Sequence, residues 1–289
     1  MVDNIIGGPP VAAVGVQAQF DVNLVTYQEP GGEITARVRG LSLDEALDAD
    51  LLLHVVDAAD PEWRTQLQVT REVLTVRERV GVCDVSTLGK IDVQGADAGE
   101  FLNRLYCNGF GTLPVGKARY GLMLREDGIV FDDGTTSRLA EDHFFMTTTT
   151  ANAARVMSHI EFCHQVLWPD LDVQYASVTE QWAQVAVAGP MARATLAKVV
   201  AEDLSDEVFP YLAARPVTVL GAIKSRLFRI SFSGELAYEL SVPADYGDAV
   251  VRSIMHAGAE FGIAPYGVEA LSVMRIEKGH IAGSELNGT

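Results

Sequence analysis

Two adjacent carboxylates, Asp132 and Asp133, follow the apolar residues Val130 and Phe131 and precede Gly134. Neighbouring residues of a strand point to opposite faces, so one carboxylate can enter a cavity while the other faces solvent. A carboxylate in apolar surroundings has a shifted pKa and is suited to proton transfer. The sequence Asp-Asp-Gly is also typical of a turn. The residues alone therefore leave both interpretations open.

A second pair of carboxylates, Glu235 and Glu239, brackets a segment that contains Tyr238. A buried carboxylate beside an aromatic side chain can accept two parallel N–H donors, such as those of a pterin or a guanine edge. Acidic residues on the solvent face of a strand would give the same pattern. This pair is consequently a candidate binding site for a heterocycle, with surface carboxylates as the alternative.

The elements that would position these carboxylates follow from local patterns. Residues 90–94 alternate like a half-buried strand. Residues 119–124 and 129–131 flank the hairpin signal Glu126-Asp127-Gly128, and we expect Asp132-Asp133-Gly134 to interrupt the strand that follows. Strands cluster in antiparallel groups and do not alternate with helices. The pattern predicts an α+β fold of two sheet-and-helix halves, and it disfavours a TIM barrel or a Rossmann fold.

Helices are predicted where a capping signal precedes an apolar face. The first begins after Asp97, a candidate N-cap, and ends at Asn108-Gly109. A later one starts at Pro190, since proline suits the first position of a helix, and is predicted to reach Val200. The remaining predicted helices cover residues 151–163, 248–261 and 267–278.

Composition excludes several classes of function. The 289 residues carry 22 basic and 39 acidic side chains, a net charge of −17, which argues against general binding of nucleic acid or of anionic membranes. No apolar run approaches the roughly 20 residues of a membrane helix. Three widely spaced cysteines fit neither a disulfide framework nor a zinc site, which favours a cytoplasmic protein without a metal. Residues 111–118 resemble a phosphate-binding loop but lack its Ser or Thr.

Several ordered segments resemble the folate-dependent aminomethyltransferase (glycine-cleavage T-protein) family: residues 80–91, 127–134, 232–239 and 266–279. Within that superfamily, residues 119–123, 147–150 and 177–182 look most like the C-terminal part of the α subunit of heterotetrameric sarcosine oxidase. The likeness covers residues 65–289 and leaves residues 1–64 as an N-terminal extension of unknown role. Glu269 stands where the glycine-cleavage proteins have an Arg, which points away from a true T-protein.

The resemblance implies a folate-binding α+β fold with two antiparallel-sheet and helix subdomains, and a chain that ends before the family's C-terminal barrel. It also implies a tetrahydrofolate site. Asp132 matches the catalytic carboxylate beside the folate N5/N10 region, and Glu239 matches the residue that holds the pterin. The other folate-binding residues that it implies are Tyr120, Tyr238, Thr148 and Arg275.

The implied activity is one-carbon transfer. Sarcosine is oxidised to an imine in flavin-bearing domains or subunits, which would also hold any FAD, FMN or NAD. A tetrahydrofolate amine then attacks the imine carbon, glycine leaves, and methylene-tetrahydrofolate forms. The expected partners are other sarcosine oxidase subunits in a hetero-oligomer. Two alternatives remain: a non-catalytic scaffold with the folate fold, and a folate-dependent demethylase of another methyl donor.

Overall fold

A computed structural model describes residues 10–12, 23–28, 34–39, 61–282 and 285. The chain divides into two units, residues 1–75 and 76–289. The first unit contains a three-stranded antiparallel sheet in the order β1-β2-β3. Its strands are β1 (Pro10–Ala12), β2 (Asn23–Gln28) and β3 (Ile34–Arg39). Helix α1 (Pro61–Glu78) follows them in the chain.

The second unit contains the regions of both candidate sites. Its elements, in chain order, are β4 (Gly81–Asp84), β5 (Gly89–Gln94), α2 (Ala98–Leu105), β6 (Lys117–Leu124), β7 (Val130–Ala140), β8 (His143–Thr148), α3 (Ala153–Phe162), β9 (Gln174–Ser177), β10 (Trp182–Ala188), α4 (Ala192–Leu196), β11 (Ala214–Val219), β12 (Ile223–Phe228), β13 (Ala237–Pro243), α5 (Gly247–Gly258), β14 (Ala264–Pro265) and α6 (Val268–Glu277).

These strands form two sheets. The five-stranded sheet has the order β6-β7-β8-β5-β9 and is antiparallel throughout. The six-stranded sheet has the order β11-β12-β13-β10-β4-β14 and is antiparallel except for the short β14, which runs parallel to β4. This arrangement confirms the predicted α+β fold. None of the described helices is both long enough and apolar enough to cross a membrane.

Each sheet packs one face into an apolar core. In the five-stranded sheet, Ile91 and Met146 pack with Phe101 of α2 and Ile160 of α3. The six-stranded sheet has its own core, in which residues of β10 and β13 pack with α4 and α5. Alternation of buried and less buried residues along a strand places one set of side chains in the core and turns the other set towards the opposite face. Asp132 lies on β7 of the five-stranded sheet and Glu239 on β13 of the six-stranded sheet.

The predicted strand at residues 90–94 is confirmed as β5, and the hairpin turn ends in Gly128, whose φ is +82°. The predicted interruption at Asp132-Asp133-Gly134 is wrong, because β7 continues through all three residues. Gly134 explains the difference. A Cβ at this position would lie 2.0 Å from the backbone oxygen of Thr147, so only glycine lets the two strands approach there.

The predicted helices are present, but several of their ends differ. Helix α2 ends at Leu105, before Asn108-Gly109, and α4 begins at Ala192, after Pro190. Helix α4 ends at Leu196 and does not reach Val200, because Val200 pairs with Val219 of β11 and joins the core. Asp97 precedes α2 but its side chain does not cap that helix. Its carboxylate instead accepts a hydrogen bond from the backbone N–H of Asp172, at 2.8 Å.

A charged cluster joins the two sheets. Asp92 Oδ1 on β5 accepts hydrogen bonds from Arg226 Nη1 on β12, at 3.1 Å, and from His143 Nε2 on β8, at 3.0 Å. The Arg226 guanidinium also lies 4.6 Å from the ring centre of Phe145 and 4.4 Å from that of Trp182. Burial alone would raise the pKa of Asp92, but the His143 hydrogen bond and the Arg226 charge outweigh it and hold that pKa below its usual range.

Replacing Asp92 with Asn is expected to lower the free energy of unfolding by about 1–3 kcal/mol at pH 7, because a charge-assisted hydrogen bond is lost. Because the folded-state pKa of Asp92 is lowered, its contribution to the free energy of unfolding is fully present at pH values above its unfolded-state pKa of about 4. That contribution is lost as the pH falls through the lower folded-state pKa. Urea unfolding of the variant and of the unmodified chain at pH 7 and at pH 3 measures the loss of stability and its dependence on pH. An equal loss of stability at the two pH values would contradict this account.

Candidate functional site

Asp132 lies on β7 with only 3% of its surface exposed. Its Oδ1 accepts hydrogen bonds from Thr149 Oγ1, at 2.6 Å, and from Asn152 Nδ2, at 3.1 Å. Its Oδ2 has one weaker contact, the backbone N–H of Thr149 at 3.4 Å. Burial raises the pKa of Asp132, the nearby Asp133 charge adds to that rise, and the hydrogen bonds from Thr149 and Asn152 oppose it. Asp132 is therefore a buried carboxylate with one oxygen still able to accept a strong hydrogen bond.

Asp133 points to the opposite face of β7, as strand alternation predicts. The Tyr120 hydroxyl on β6 donates a hydrogen bond to Asp133 Oδ2 at 2.9 Å, while Asp133 Oδ1 is buried without a partner among the residues that the structure describes. Burial raises the pKa of Asp133, and the Tyr120 hydrogen bond opposes that rise. The pKa of Tyr120 is itself raised by burial and by the charge of Asp133. Tyr120 thus contacts Asp133, whereas Asp132 bonds to Thr149 and Asn152.

Glu239 lies half-buried on β13, beside the middle of β10. Its Oε2 accepts a hydrogen bond from Gln184 Nε2 at 2.5 Å. Burial raises the pKa of Glu239 to about 7, although the Gln184 hydrogen bond and the charge of Lys90 act in the opposite direction. Within the described part of the chain, Glu239 Oε1 has no hydrogen-bond partner. The carboxylate consequently keeps acceptor positions for a ligand with N–H donors.

Tyr238 is fully buried on the opposite face of β13 from Glu239, in the core of the six-stranded sheet. Its hydroxyl accepts a hydrogen bond from Arg193 Nε at 3.0 Å. Arg275 on α6 donates two hydrogen bonds to the carboxylate of Glu285, at 2.7 and 2.8 Å. The structure therefore gives both predicted folate-binding residues partners within the protein and does not bring either to Glu239 or Asp132.

Thr148, the last residue of β8, is buried, and its hydroxyl donates to the backbone oxygen of Thr149 at 3.1 Å. It lies next to the residue that bonds Asp132. The β4–β5 loop connects this region with Glu239, since Thr87 Oγ1 lies 3.1 Å from Thr150 Oγ1 while Ser86 binds Gln184. The β4–β5 loop thus contacts Thr150, which follows the Asp132 partner Thr149, and Gln184, which binds Glu239.

Two residues near Glu239 were not singled out by the sequence. Gln184 lies on β10, and Lys90 belongs to the alternating segment at residues 90–94, where a lysine is expected on the solvent face. Both are fully buried. The alternation of residues along β5 assigns Lys90 to one face of the strand. It does not show whether other parts of the protein bury that face.

A cavity of about 430 Å³ lies beside the turn at Gly234 and Glu235, and Arg229, Lys278 and His280 line part of it. Glu235, which the sequence pairs with Glu239 as a candidate, lines this cavity, whereas Asp132 and Glu239 do not. In the part of the chain that the structure describes, no group of three or more His, Cys, Asp or Glu residues could hold a metal ion. The candidate sites at Asp132 and Glu239 are therefore recognised by their hydrogen bonds and burial, and not by this cavity or by a metal-binding cluster.

The sequence profile of the GCVT N-terminal domain matches residues 53–289. The chain belongs to the GCVT N-terminal domain family. Two relatives match this chain over only part of their own length. The sarcosine oxidase subunit alpha of Rhizobium meliloti (strain 1021) is 64% identical over 78% of this chain and 23% of its own length. That of Corynebacterium sp. (strain P-1) is 43% identical over 98% of this chain and 32% of its own.

A solved structure supports the fold of this GCVT-family chain. Glycine cleavage system aminomethyltransferase T from Bartonella henselae superposes with a TM-score of 0.62 at 23% identity, over 74% of this chain and 55% of that one. The chain spans about a quarter to a third of the length of the two sarcosine oxidase relatives. The predicted membership in the aminomethyltransferase-like family is confirmed.

Proposed function

We propose that this chain is the tetrahydrofolate-binding, one-carbon transfer domain of a sarcosine oxidase α subunit. It would capture the imine carbon of oxidised sarcosine as methylene-tetrahydrofolate and release glycine. The observation that carries the proposal is Glu239, a half-buried carboxylate with one oxygen free of protein partners among the described residues and a pKa of about 7. Membership in the GCVT N-terminal domain family and the names of the two α-subunit relatives support it.

The residues around Glu239 fit a pterin. A pterin edge presents two N–H donors, and a carboxylate binds such an edge through two parallel hydrogen bonds. Gln184 donates one hydrogen bond to Glu239 Oε2, and Glu239 Oε1 has no partner among the described residues. Since Gln184 is itself held by Ser241 Oγ at 2.9 Å, the carboxylate is oriented before a ligand arrives. Tetrahydrofolate bound here would supply the amine nitrogens that accept the one-carbon unit.

Asp132 would orient the reacting nitrogens and take up a proton. Its Oδ1 is fixed by Thr149 and Asn152, so the weakly bonded Oδ2 is the atom available to accept an N–H. Burial raises the pKa of Asp132, which makes the carboxylate a stronger base than a solvated Asp. An enclosed site would also protect the imine from water. The flavin chemistry that forms the imine would belong to other domains or subunits of the hetero-oligomer.

Replacing Glu239 with Ala is expected to weaken tetrahydrofolate binding by about 1–3 kcal/mol, or roughly 5- to 150-fold, because the N–H donors of the pterin lose their acceptor. Calorimetric titration of the full chain with tetrahydrofolate under anaerobic conditions measures the change. The matched control is Glu235→Ala, which removes a carboxylate four residues away that forms ion pairs with Arg77 and Lys278. The control is expected to bind as the unmodified chain does.

The result also separates the alternatives. Binding that is lost only in Glu239→Ala supports the folate site, whereas equal binding by both variants removes Glu239 from it. A folded chain that binds no tetrahydrofolate favours the scaffold interpretation. A demethylase of another methyl donor would bind tetrahydrofolate in the same way, so the methyl donor has to be identified by comparing sarcosine with other N-methyl compounds in an assay with the oxidising partner.

A further inference from the structure

Lys90 is a lysine with none of its surface exposed. Its Nζ donates hydrogen bonds to the backbone oxygens of Ser86 and Leu88, each at 2.9 Å. Both oxygens belong to the β4–β5 loop, so the ammonium holds that loop against β5. A fully buried lysine is rare unless its charge is compensated, because removing an ammonium from water is costly. Two carbonyl dipoles provide only part of that compensation.

The charge partner of Lys90 is Glu239. Burial lowers the pKa of Lys90, while the carboxylates of Glu239, Asp84 and Glu180 raise it, with Glu239 the strongest of the three. Asp84 and Glu180 are exposed, so solvent screens their charges, whereas Glu239 is half-buried. The effect is mutual, since the positive charge of Lys90 lowers the pKa of Glu239 against the effect of burial. Each group therefore stabilises the charged form of the other.

A chain of hydrogen bonds connects the two residues. The Ser86 carbonyl accepts from Lys90, and the Ser86 hydroxyl accepts from the backbone N–H of Gln184 at 2.9 Å. The Gln184 side chain accepts from Ser241 with Oε1 and donates to Glu239 with Nε2. The Ser241 contact fixes which end of the amide faces Glu239. Lys90, Ser86, Gln184 and Glu239 are therefore linked residue by residue across β5, β10 and β13, through different groups of Ser86 and of Gln184.

We propose that Lys90 is a positioning residue of the folate site, whose buried ammonium favours the ionised form of Glu239, the carboxylate that can accept both N–H donors of the pterin. This inference rests on the proposed function. A protonated Glu239 would carry a hydrogen on one oxygen and could not accept two parallel N–H donors. Among the described residues, Tyr266 also interacts with Glu239, but burial raises the pKa of Tyr266, so its side chain stays neutral. Within the same part of the chain, Lys90 is the charge that acts on Glu239.

The pH dependence of tetrahydrofolate binding tests this role. Glu239 has a pKa of about 7, so the unmodified chain is expected to lose affinity as the pH falls below 7. Lys90→Gln retains hydrogen-bond donors for the Ser86 and Leu88 carbonyls but removes the charge. If the lost charge raises the pKa of Glu239 by one unit, the ionised fraction at pH 7 falls from about one half to about one tenth, which would weaken binding by about fivefold. At pH 9 the variant is expected to bind within about threefold of the unmodified chain.

Lys90→Met and Glu239→Gln complete the experiment, which is performed by calorimetry with tetrahydrofolate between pH 6 and pH 9. Lys90→Met removes the charge and keeps an apolar stem. Removing one partner of a buried pair is costly when the other charge stays uncompensated, but Glu239 can take up a proton instead, so a folded neutral variant is expected from one substitution or the other. Glu239→Gln cannot titrate and should show no midpoint. Circular dichroism confirms that each variant is folded.

A shift of the binding midpoint to higher pH in the neutral variants supports the inference. Equal weakening at every pH would show that Lys90 only maintains the structure, and an unchanged midpoint would show that it does not act on Glu239. Either result overturns the inference and leaves the folate site intact. If the unmodified chain does not bind tetrahydrofolate at any pH, both this inference and the proposed function are wrong.

Discussion

Asp132→Asn is expected to slow the formation of methylene-tetrahydrofolate by about 10²- to 10⁴-fold, the range that one acid–base group contributes. The variant keeps an oxygen that can accept from Thr149 and Asn152, so the segment after β8 should hold its position. It loses the negative charge and the basicity, which the raised pKa of the buried carboxylate provides. We therefore expect the rate to fall while tetrahydrofolate affinity changes by less than about threefold.

The assay supplies the imine by oxidising sarcosine with a flavin-dependent amine oxidase in the same solution, while formaldehyde dehydrogenase removes released formaldehyde. Asp133→Asn is the matched control, because Asp133 is adjacent in sequence but lies on the opposite face of β7 and contacts Tyr120. Its rate should stay within about tenfold of the unmodified rate. A normal rate for Asp132→Asn, or a larger loss for Asp133→Asn, would contradict the assignment of Asp132.

The two aspartates show how far the sequence alone can lead. Strand alternation predicts that they face opposite sides, and the structure has them so. The same rule could not say which one is buried, because that depends on Thr149 and Asn152, which lie about twenty residues further along the chain. The hairpin before them was predictable from Glu126-Asp127-Gly128, since a local turn depends on local residues.

Other features depend on contacts between distant segments and were out of reach. The β5 pattern predicted a strand correctly, yet Lys90 is buried because the β4–β5 loop and Glu239 provide partners for its charge. Tyr238 was grouped with Glu239 because the two are adjacent in sequence. Alternation along β13 places Tyr238 in the core instead, where Arg193 binds its hydroxyl. Adjacent residues of a strand point to opposite faces, so strand alternation itself separates Tyr238 from Glu239.

The site also explains why the Asp-Asp-Gly segment is a strand. Thr147 on β8 inserts its hydroxyl between the two strands, where its Oγ1 accepts from the backbone N–H of Thr135 at 3.0 Å and donates to the backbone oxygen of Thr135 at 3.1 Å. The Thr147 backbone then lies against Gly134, which has no side chain to keep it away. This close approach brings β7 and β8 together beside Asp132 and Thr149.

Gly134→Ala is expected to lower the free energy of unfolding by about 3 kcal/mol or more, or to prevent folding, because overpacking of this kind forces the backbone to move. The added Cβ would lie 2.0 Å from the Thr147 backbone oxygen, and that oxygen cannot rotate away as a flexible side chain could. The displaced segment carries Thr148 and leads into Thr149. We therefore expect the variant to lose the hydrogen bond between Thr149 and Asp132 and to lose one-carbon transfer as well.

Gly128→Ala is the control that separates crowding from backbone conformation. Gly128 has a φ of +82°, which disfavours alanine, but a Cβ there would meet no atom of the described residues within 4 Å. Its expected cost is about 1 kcal/mol, the usual penalty of a left-handed residue. Urea unfolding of both variants measures the difference. If Gly134→Ala were no less stable than Gly128→Ala, then β7 and β8 would not approach as closely as the structure has them, and the position of Asp132 beside Thr149 would lose its explanation.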